Sequence, residues 1–450
     1  MSLRTRKWAA GISLLLSGVI AFWCEVAFPA APPPADADFN TLFRRTFNEP
    51  LNLDLAFRFA EVATQQGDYE AAIGALERML FYNPHLPRVR LELGVLYFKL
   101  GSYAMARSYF ESAIATPGVP PEVKAKVDQF LAEIDRRLSP HKWSGFLQFG
   151  LRYQTNANAG PDGLLIKALG QDAVLNSQFA KSADWNVFGL AGAIYAYDLQ
   201  NGRGDALEAS LIGYFAQQYR LSQFDLGLIE LQAGPRFGVP QLFPGASFKI
   251  YGIGTATNLA ASPYFSGPGA GVSARFPFSA ALVEPSVEVR KRNFMDSPVY
   301  PIAGQQSGRL LTAAVTAVGA FLNYLPWAGR LAFDNNRTSD AIFDFNGYDR
   351  WSADVAFPIP WSVDWNKSTF HFVVAPTAGA SRAVYAMPNP IVSPTVARLD
   401  REWHVGTVLD FLYDANAGVR TQLQYSRTDS SLPNYDTRNL SITVGPTARF

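Results

Sequence analysis

The sequence predicts an α+β multidomain protein, in which an N-terminal α-helical domain precedes a 14-stranded antiparallel transmembrane β-barrel. Two hydrophobic periods carry this prediction. From about residue 53 to 138 the apolar residues recur with the 3.6-residue period of helices, and the pattern repeats after 34 residues. From residue 143 to the last residue, apolar and polar residues alternate with the period of two that is typical of strands.

Composition narrows the possible partners. The 450 residues suffice for more than one domain, and a formal net charge of +1 with 17% charged residues does not favour nucleic acid as a partner. The single cysteine, Cys24, excludes both a disulfide framework and a thiolate metal site. We expect no cofactor, no metal and no nucleic acid.

Residues 1–31 are predicted to be a signal peptide for export. Basic residues at positions 4, 6 and 7 precede an apolar run, which is followed by small residues and prolines. Cys24 lies in this segment and is expected to leave with it; the alternative is an uncleaved anchor helix. Residues 32–52 are predicted to be a linker.

Residues 53–139 are predicted to form a periplasmic helical domain with two repeats. The segments 67–84 and 101–117 align at a spacing of 34 residues, with small or aromatic residues at matching positions. This period and these positions resemble the tetratricopeptide repeat. A further amphipathic stretch, 120–138, starts after two prolines and is predicted to be a capping helix.

Tetratricopeptide-like repeats leave a concave groove for a segment of a partner. Mapping the first helix of each repeat predicts a partner-binding groove lined by Phe57, Glu61, Gln65, Arg88, Leu91, Phe98 and Lys99. The alternative for each residue is that it only packs or solvates a small helical cap.

Residues 143–450 are predicted to form the barrel, because several strands carry aromatic residues ten positions apart. Ten residues rise about 33 Å and, at a tilt of roughly 40°, cross about 25 Å, which is the height of the lipid-facing band of outer-membrane barrels. The predicted interface girdle consists of Trp143, Tyr153, Trp185, Tyr195, Trp403 and Tyr413. The alternative, a soluble sandwich or propeller, would bury its aromatic residues in a core.

Turn signals divide the barrel segment into 14 strands, an even number as in single-chain bacterial barrels. If the helical domain is periplasmic, most long connections fall outside the membrane and most tight turns inside. Two connections do not fit, since 220–225 is short outside and 357–368 is long inside, and the count stays open by two. The last strand ends on Phe450, which resembles the signal read by the barrel insertion machinery.

The strand 282–294 carries charges on one parity and valines on the other. An Arg or Lys on a lipid face costs roughly 2–4 kcal/mol near the midplane, which predicts that this parity lines the lumen. The predicted lumen-lining residues are Glu284, Glu288, Arg290 and Arg292. They either form salt bridges within a polar interior or contact a passing substrate.

No catalytic constellation is visible, and we predict that the protein is not an enzyme. His371 and His404 share inward parity on neighbouring strands, but the hairpin between them places them roughly 25–30 Å apart. Glu284 and Glu288 lie next to Arg290, which favours salt bridging over acid–base chemistry. The glycine-rich stretch 267–272 falls within a strand pattern, unlike a dinucleotide-binding loop.

The order of signal peptide, short repeat segment, capping helix and barrel ending in Phe resembles the surface lipoprotein assembly modulators, the Slam family. The segments 145–161, 284–294 and 427–450 resemble that family's first, middle and last strand motifs. The resemblance implies a translocation or assembly factor in the outer membrane of a Gram-negative cell, with the repeat domain in the periplasm.

The implied partners are an exported protein or lipoprotein client, the barrel insertion machinery and outer-membrane lipid. The alternative function is an outer-membrane pore or polysaccharide-export barrel whose repeats dock a periplasmic partner.

Overall fold

The computed structural model describes residues 37–49, 52–115, 119–321, 325–365, 368–414 and 416–450. The predicted signal peptide, with Cys24, lies outside these ranges. The chain divides into a helical unit that ends at Ser139 and a barrel unit that begins at Pro140. Within the described ranges, no helix is both long enough and apolar enough to span a membrane.

The described part of the helical unit forms the helices α1 Ala37–Asn48, α2 Leu53–Gln65, α3 Tyr69–Tyr82, α4 Pro87–Lys99, α5 Tyr103–Ile114 and α6 Pro121–Leu138. The side chains of Asn52 and Asp68 cap α2 and α3 by accepting hydrogen bonds from first-turn amides. Proline occupies the first position of α4 and of α6, where its missing N–H costs nothing. Helix α1 lies within the predicted linker.

The two repeats bury equivalent positions. Gly67 and Gly101 both turn the chain with left-handed backbones, at φ values of +81° and +80°. The side chains that match at a spacing of 34 residues are at most 1% exposed, namely Ala72 and Ala106, Leu76 and Phe110, and Met79 and Ala113. The apolar period read from the sequence therefore corresponds to one repeated core.

Two contacts hold α3, α4 and α5 together. A Cβ at Gly94 would lie 2.6 Å from the Phe110 ring, so α4 and α5 pack closely only because Gly94 has no side chain. The Glu77 carboxylate accepts hydrogen bonds from the hydroxyls of Tyr97 and Tyr109 at 2.6 and 3.1 Å. Burial and the Glu77 carboxylate raise the pKa of Tyr109 to about 12.

The barrel unit is an antiparallel sheet whose strands, in chain order with one small hairpin, are β1 His141–Gln154, β2 Leu165–Ala168, β3 Gln171–Val174, β4 Asp184–Asp198, β5 Ala206–Gln218, β6 Leu226–Gly238, β7 Ser247–Leu259, β8 Ser262–Pro277, β9 Ala281–Phe294, β10 Gly308–Phe321, β11 Leu325–Thr338, β12 Tyr348–Ala356, β13 Ile359–Trp365, β14 Ser368–Tyr385, β15 Leu399–Leu412, β16 Ala417–Ser430 and β17 Thr437–Arg449. Strand β1 pairs with both β4 and β17, which closes the ring. Fifteen of these strands lie in the ring, while β2 and β3 form a separate hairpin. Because β12 and β13 both pair with β14 and act as one long strand, the ring has fourteen strands, and the predicted fold class is confirmed.

One connection differs from the prediction. The sequence predicts a long inner connection at 357–368, but most of this segment forms β13, which pairs with the first half of β14. Strand β12 pairs with the second half of β14, so β12 and β13 together act as one long strand. The break falls at Phe357 and Pro358, because proline has no N–H to donate to the ladder.

Most long connections lie at one end of the barrel, which we call the loop end. The opposite turn end contains the start of β1, Phe450 and the connections 199–205, 239–246 and 278–280. The loop end contains the connections 155–183, 219–225, 295–307, 339–347, 386–398 and 431–436 and the two-residue turn 260–261. Strands β2 and β3 form a hairpin inside the first of these loops, and the sequence reasoning did not predict it.

This hairpin is tied to two other loops. The amides of Leu169 and Gly170 each donate to a carbonyl of the 386–398 loop at 2.9 Å. The side chain of Asn434 bonds the backbone of Lys167 in both directions, also at 2.9 Å. The first long loop is therefore fixed against its neighbours at the loop end.

Candidate functional site

The outer face of the barrel carries aromatic pairs at two heights. Trp143 and Tyr195 are register partners near the turn end with ring centroids 4.5 Å apart, and Tyr153 and Trp185 are partners near the loop end at 4.9 Å. The exposed fractions of the other two predicted girdle residues, Trp403 and Tyr413, are 39% and 67%. Exposed aliphatic residues occupy the positions between the two heights, as in Leu147 at 38% and Leu151 at 50%.

The inner faces of β5 to β9 form an ion-paired wall. The Glu284 carboxylate pairs with Arg236 at 3.2 Å and with Arg275 at 3.1 Å. Arg236 also pairs with Glu208 at 2.7 Å, and Glu208 pairs with Lys249 at 3.1 Å. These contacts connect β5, β6, β7, β8 and β9 through charged side chains.

The remaining predicted lumen residues extend this wall. Arg290 pairs with Glu230 and, at 2.8 Å, with Glu288, which also accepts a hydrogen bond from the Tyr251 hydroxyl at 2.9 Å. Arg292 is 7% exposed and donates to the side chain of Asn336 at 2.7 Å. Each of the four predicted lumen residues therefore has a partner within the barrel.

The closing seam, which joins β1 to β17, is interrupted near its middle. Its ladder runs to the pair Gln148 and Thr447, skips the next two pairs, and resumes at Leu151 and Val444. On its other side, β1 pairs with β4 over its whole length without a gap. The seam is the weaker of the two edges of β1.

Three residues cause the interruption. Pro446 has no N–H for the ladder. A Cβ at Gly445 would lie 1.8 Å from the Phe149 carbonyl oxygen, and a Cβ at Gly150 would lie 2.3 Å from the Val444 carbonyl oxygen. The two backbones therefore touch where side chains are missing. Beyond the gap, Phe450 and Gly145 exchange two backbone hydrogen bonds at the turn end, at 2.9 and 3.1 Å.

A cavity of about 240 Å³ lies beside the seam inside the barrel. One part of its lining is a polar wall on the inner faces of β1, β16 and β17, formed by Gln148, Gln422, Gln424, Ser426, Ser441 and Thr443. Another part, on β4 to β6 and the 219–225 loop, contains Phe188, Leu190, Tyr214, Phe224 and Leu226. The lining also holds two arginines, Arg152 and Arg420, and two carboxylates, Asp354 and Glu402.

The arginines of the cavity are held by the protein. Arg420 forms a two-pronged ion pair with Asp410 at 2.6 and 2.7 Å, and both side chains are at most 5% exposed. Arg152 donates to the Tyr214 hydroxyl at 3.0 Å and lies 4.8 Å from the centre of the Phe188 ring.

The polar wall differs from the ion-paired wall. Gln422 donates to Gln424 at 3.1 Å. Across the described ranges, no hydrogen-bond partner is found for the side chains of Gln148, Ser441 or Thr443, although Gln148 is 5% exposed and Thr443 is 3% exposed. These three side chains line the cavity, so this wall has unused capacity for hydrogen bonds with a ligand.

The histidines occupy separate places, as the sequence reasoning expected. His404 on β15 lies opposite Gly379 on β14. His371 is also on β14, eight residues from Gly379, so the two histidines are about 26 Å apart along the strands. His404 lies 3.4 Å from Asp354. Among the described residues, no group of three or more His, Cys, Asp or Glu side chains is arranged to hold a metal.

The predicted groove residues of the helical unit have different environments. Glu61, Gln65, Arg88 and Lys99 are exposed, and the Arg88 guanidinium lies 5.2 Å from the ring of half-buried Phe57. Leu91 and Phe98 pack against the core formed by α5 and α6. Binding of a partner to these residues stays a prediction.

Sequence reasoning missed the seam gap and the cavity. It used only the outward parity of β17, on which Pro446 and Phe450 lie. The opposite parity shows the signal, because Ser441 and Thr443 alternate with apolar residues, as Gln422 and Gln424 do on β16.

Comparisons with known proteins identify the helical repeats and list similar barrels. Residues 57–120 match the tetratricopeptide repeat family, which confirms the predicted repeats. No curated protein matches the chain. Solved structures similar to the barrel include a bacterial polysaccharide outer membrane secretin (10% identity, covering 68% of this chain and 98% of that chain, TM-score 0.35), the outer membrane channel DcaP of Acinetobacter baumannii (8%, 69%, 97%, 0.37) and an anion-selective porin from Comamonas acidovorans (8%, 69%, 99%, 0.32).

Proposed function

We propose that the protein is an outer-membrane translocation or assembly factor that delivers an exported protein or lipoprotein client to the cell surface. The interrupted closing seam carries this proposal. A ladder that skips two pairs at Pro446 and Gly445 separates more easily than the continuous ladder between β1 and β4. The ladders of β6 with β7 and of β8 with β9 also skip two pairs, at Pro235 and Pro268, but only the seam joins the first strand of the ring to the last. Together with the Slam-like order of segments, the weak seam favours delivery over passive conduction.

The width of the barrel restricts the route. Fourteen strands enclose less space than the 16 to 18 strands of open porins, so a folded client is too wide for the lumen. The ion-paired wall further fills the interior. The client therefore passes unfolded or through the opened seam, after the repeat domain receives it in the periplasm.

Deletion of the gene tests the function. A delivery factor leaves a particular surface protein stranded in the periplasm, which protease shaving of whole cells followed by mass spectrometry detects. The alternative, a pore, predicts unchanged surface proteins and steady conductance of the purified barrel in planar bilayers. That second pair of results would refute the proposal.

A disulfide across the seam tests the route. Leu147 is the register partner of Ala448 across the seam and of Ala191 on the other side of β1. Neighbouring antiparallel strands approach within disulfide range. Oxidised Leu147→Cys/Ala448→Cys should block delivery reversibly, whereas the matched control Leu147→Cys/Ala191→Cys should not. Equal activity of both oxidised variants would exclude seam opening.

The location in the outer membrane also predicts a role for the last residue. Phe450 lies at the turn end with 67% of its side chain exposed, on the parity of Ile442 and Val444. Removal of Phe450 should lower the amount of assembled barrel in outer-membrane fractions, while Phe450→Tyr should preserve it. Normal assembly without Phe450 would show that the insertion machinery does not read it.

A further inference from the structure

The inner face of the closing seam combines features found together at no other wall described above. It lines a cavity, it carries polar side chains without partners, and it adjoins the skipped pairs of the ladder. Beside it, the hydroxyl oxygen of Thr447, the register partner of Gln148, is buried without a hydrogen bond. The side chains of Gln148, Ser441 and Thr443 line the cavity and can form hydrogen bonds with a ligand there.

We propose that the polar wall binds an extended, uncharged stretch of polypeptide. This inference rests on the proposed delivery function, in which the polypeptide is the client in transit. Hydroxyl and amide side chains both donate and accept hydrogen bonds, and so do the N–H and C=O groups of a peptide backbone. The wall therefore recognises a main chain and not a particular side chain.

The spacing of the wall supports a polypeptide. Ser441 and Thr443 are two residues apart on β17, as are Gln422, Gln424 and Ser426 on β16, so their side chains recur about every 6.6 Å. An extended peptide lying along the strands repeats its same-side backbone groups at this distance. The aromatic part of the lining, with Phe188 and Tyr214, faces the same space and accommodates apolar side chains.

The polar wall favours an uncharged segment, because its six side chains are neutral amides and hydroxyls. Among the neighbouring charges, Arg420 is paired with Asp410, and the ion-paired wall on β5 to β9 satisfies its charges internally. Binding of a neutral peptide should therefore change little with salt, because no fixed charge on either partner is neutralised.

Cysteine protection tests the site in the purified full-length protein with Cys24→Ser. The probe is an unstructured neutral peptide of Gly, Ser, Thr and Asn with about ten residues, which extends to about 33 Å, the length of a strand. At ten times its Kd, the peptide should slow maleimide labelling of Ser441→Cys about tenfold. Ser286→Cys, on the inner face of β9, is the matched control and should keep its labelling rate. Gln148→Cys gives a second readout on the other seam strand if Ser441→Cys does not assemble.

Each other outcome is decisive. Protection by maltoheptaose but not by the peptide would make the wall a saccharide site and overturn the proposal. Equal protection of Ser441→Cys and Ser286→Cys would mean that the peptide fills the lumen without a site, and no protection at either position would exclude binding. Protection without any surface-protein defect on gene deletion would instead refute delivery and leave the peptide site standing.

Discussion

Substitution of Gly94 in the helical unit provides a sharp test of the packing, because two physical effects oppose each other there. Alanine is favoured over glycine within a helix by about 1 kcal/mol. At Gly94, however, the new Cβ would lie 2.6 Å from the Phe110 ring, and Phe130 stacks on that ring at a centroid distance of 5.0 Å. Because Phe110 is 1% exposed and has no room to retreat, we expect overpacking in the upper part of its usual range, about 2–3 kcal/mol.

The net loss of unfolding free energy for Gly94→Ala is then about 1–2 kcal/mol. Gly74 is the matched control, since it lies inside α3 with no heavy atom within 4 Å of its would-be Cβ, and Gly74→Ala should stabilise by about 0.5–1 kcal/mol. Urea titration of the full-length protein, followed by the helical circular-dichroism signal, should separate the two midpoints by about 1–2 M. Equal stabilisation by both substitutions would refute the close approach of α4 and α5.

Three further predictions concern pH, a buried ion pair and the outer face. The pKa of Tyr109 is raised to about 12 in the folded domain, so the stability that its protonated hydroxyl contributes is complete below about pH 10 and is lost as the pH rises toward 12. Urea titrations at increasing pH should show this loss of stability. The variant Tyr109→Phe should show a smaller loss. Asp410→Asn leaves the buried Arg420 charge without its main partner and should lower the free energy of unfolding by about 3–5 kcal/mol. Asp429→Asn, at an exposed ion pair, should lower it by only about 0–1 kcal/mol. The temperature at which the folded barrel band disappears in gels compares the two variants. Leu147→Arg, in the middle of the outer face, should lower the stability of the barrel folded in lipid vesicles by about 2–4 kcal/mol. Trp143→Arg, near the turn end, should lower it by about 0–1 kcal/mol. Equal effects of the two substitutions would contradict a membrane-facing band.

Local periodicity was sufficient to predict much of this fold. The spacing of 34 residues identified the two repeats because their buried positions, such as Ala72 and Ala106, recur within a short stretch of chain. Strand alternation likewise identified the 14 strands, since the parity of each strand depends only on its own residues. The prediction failed at β13, where the length of a connection was used as a sign of a loop although its own alternation continued.

The tertiary structure alone decided which side chains meet. The sequence shows Glu284 as a charged residue of inward parity, but its partners Arg236 and Arg275 come from β6 and β8, and only the register of the closed ring brings them within 3.2 Å. Likewise, Pro446 and Gly445 are visible in the sequence, yet they weaken a seam only because the last strand returns beside the first. Parity is a local property of each strand, whereas register and ring closure depend on all the strands together. This is why the sequence shows the polar parities of β16 and β17 but not the wall and the cavity that they form together.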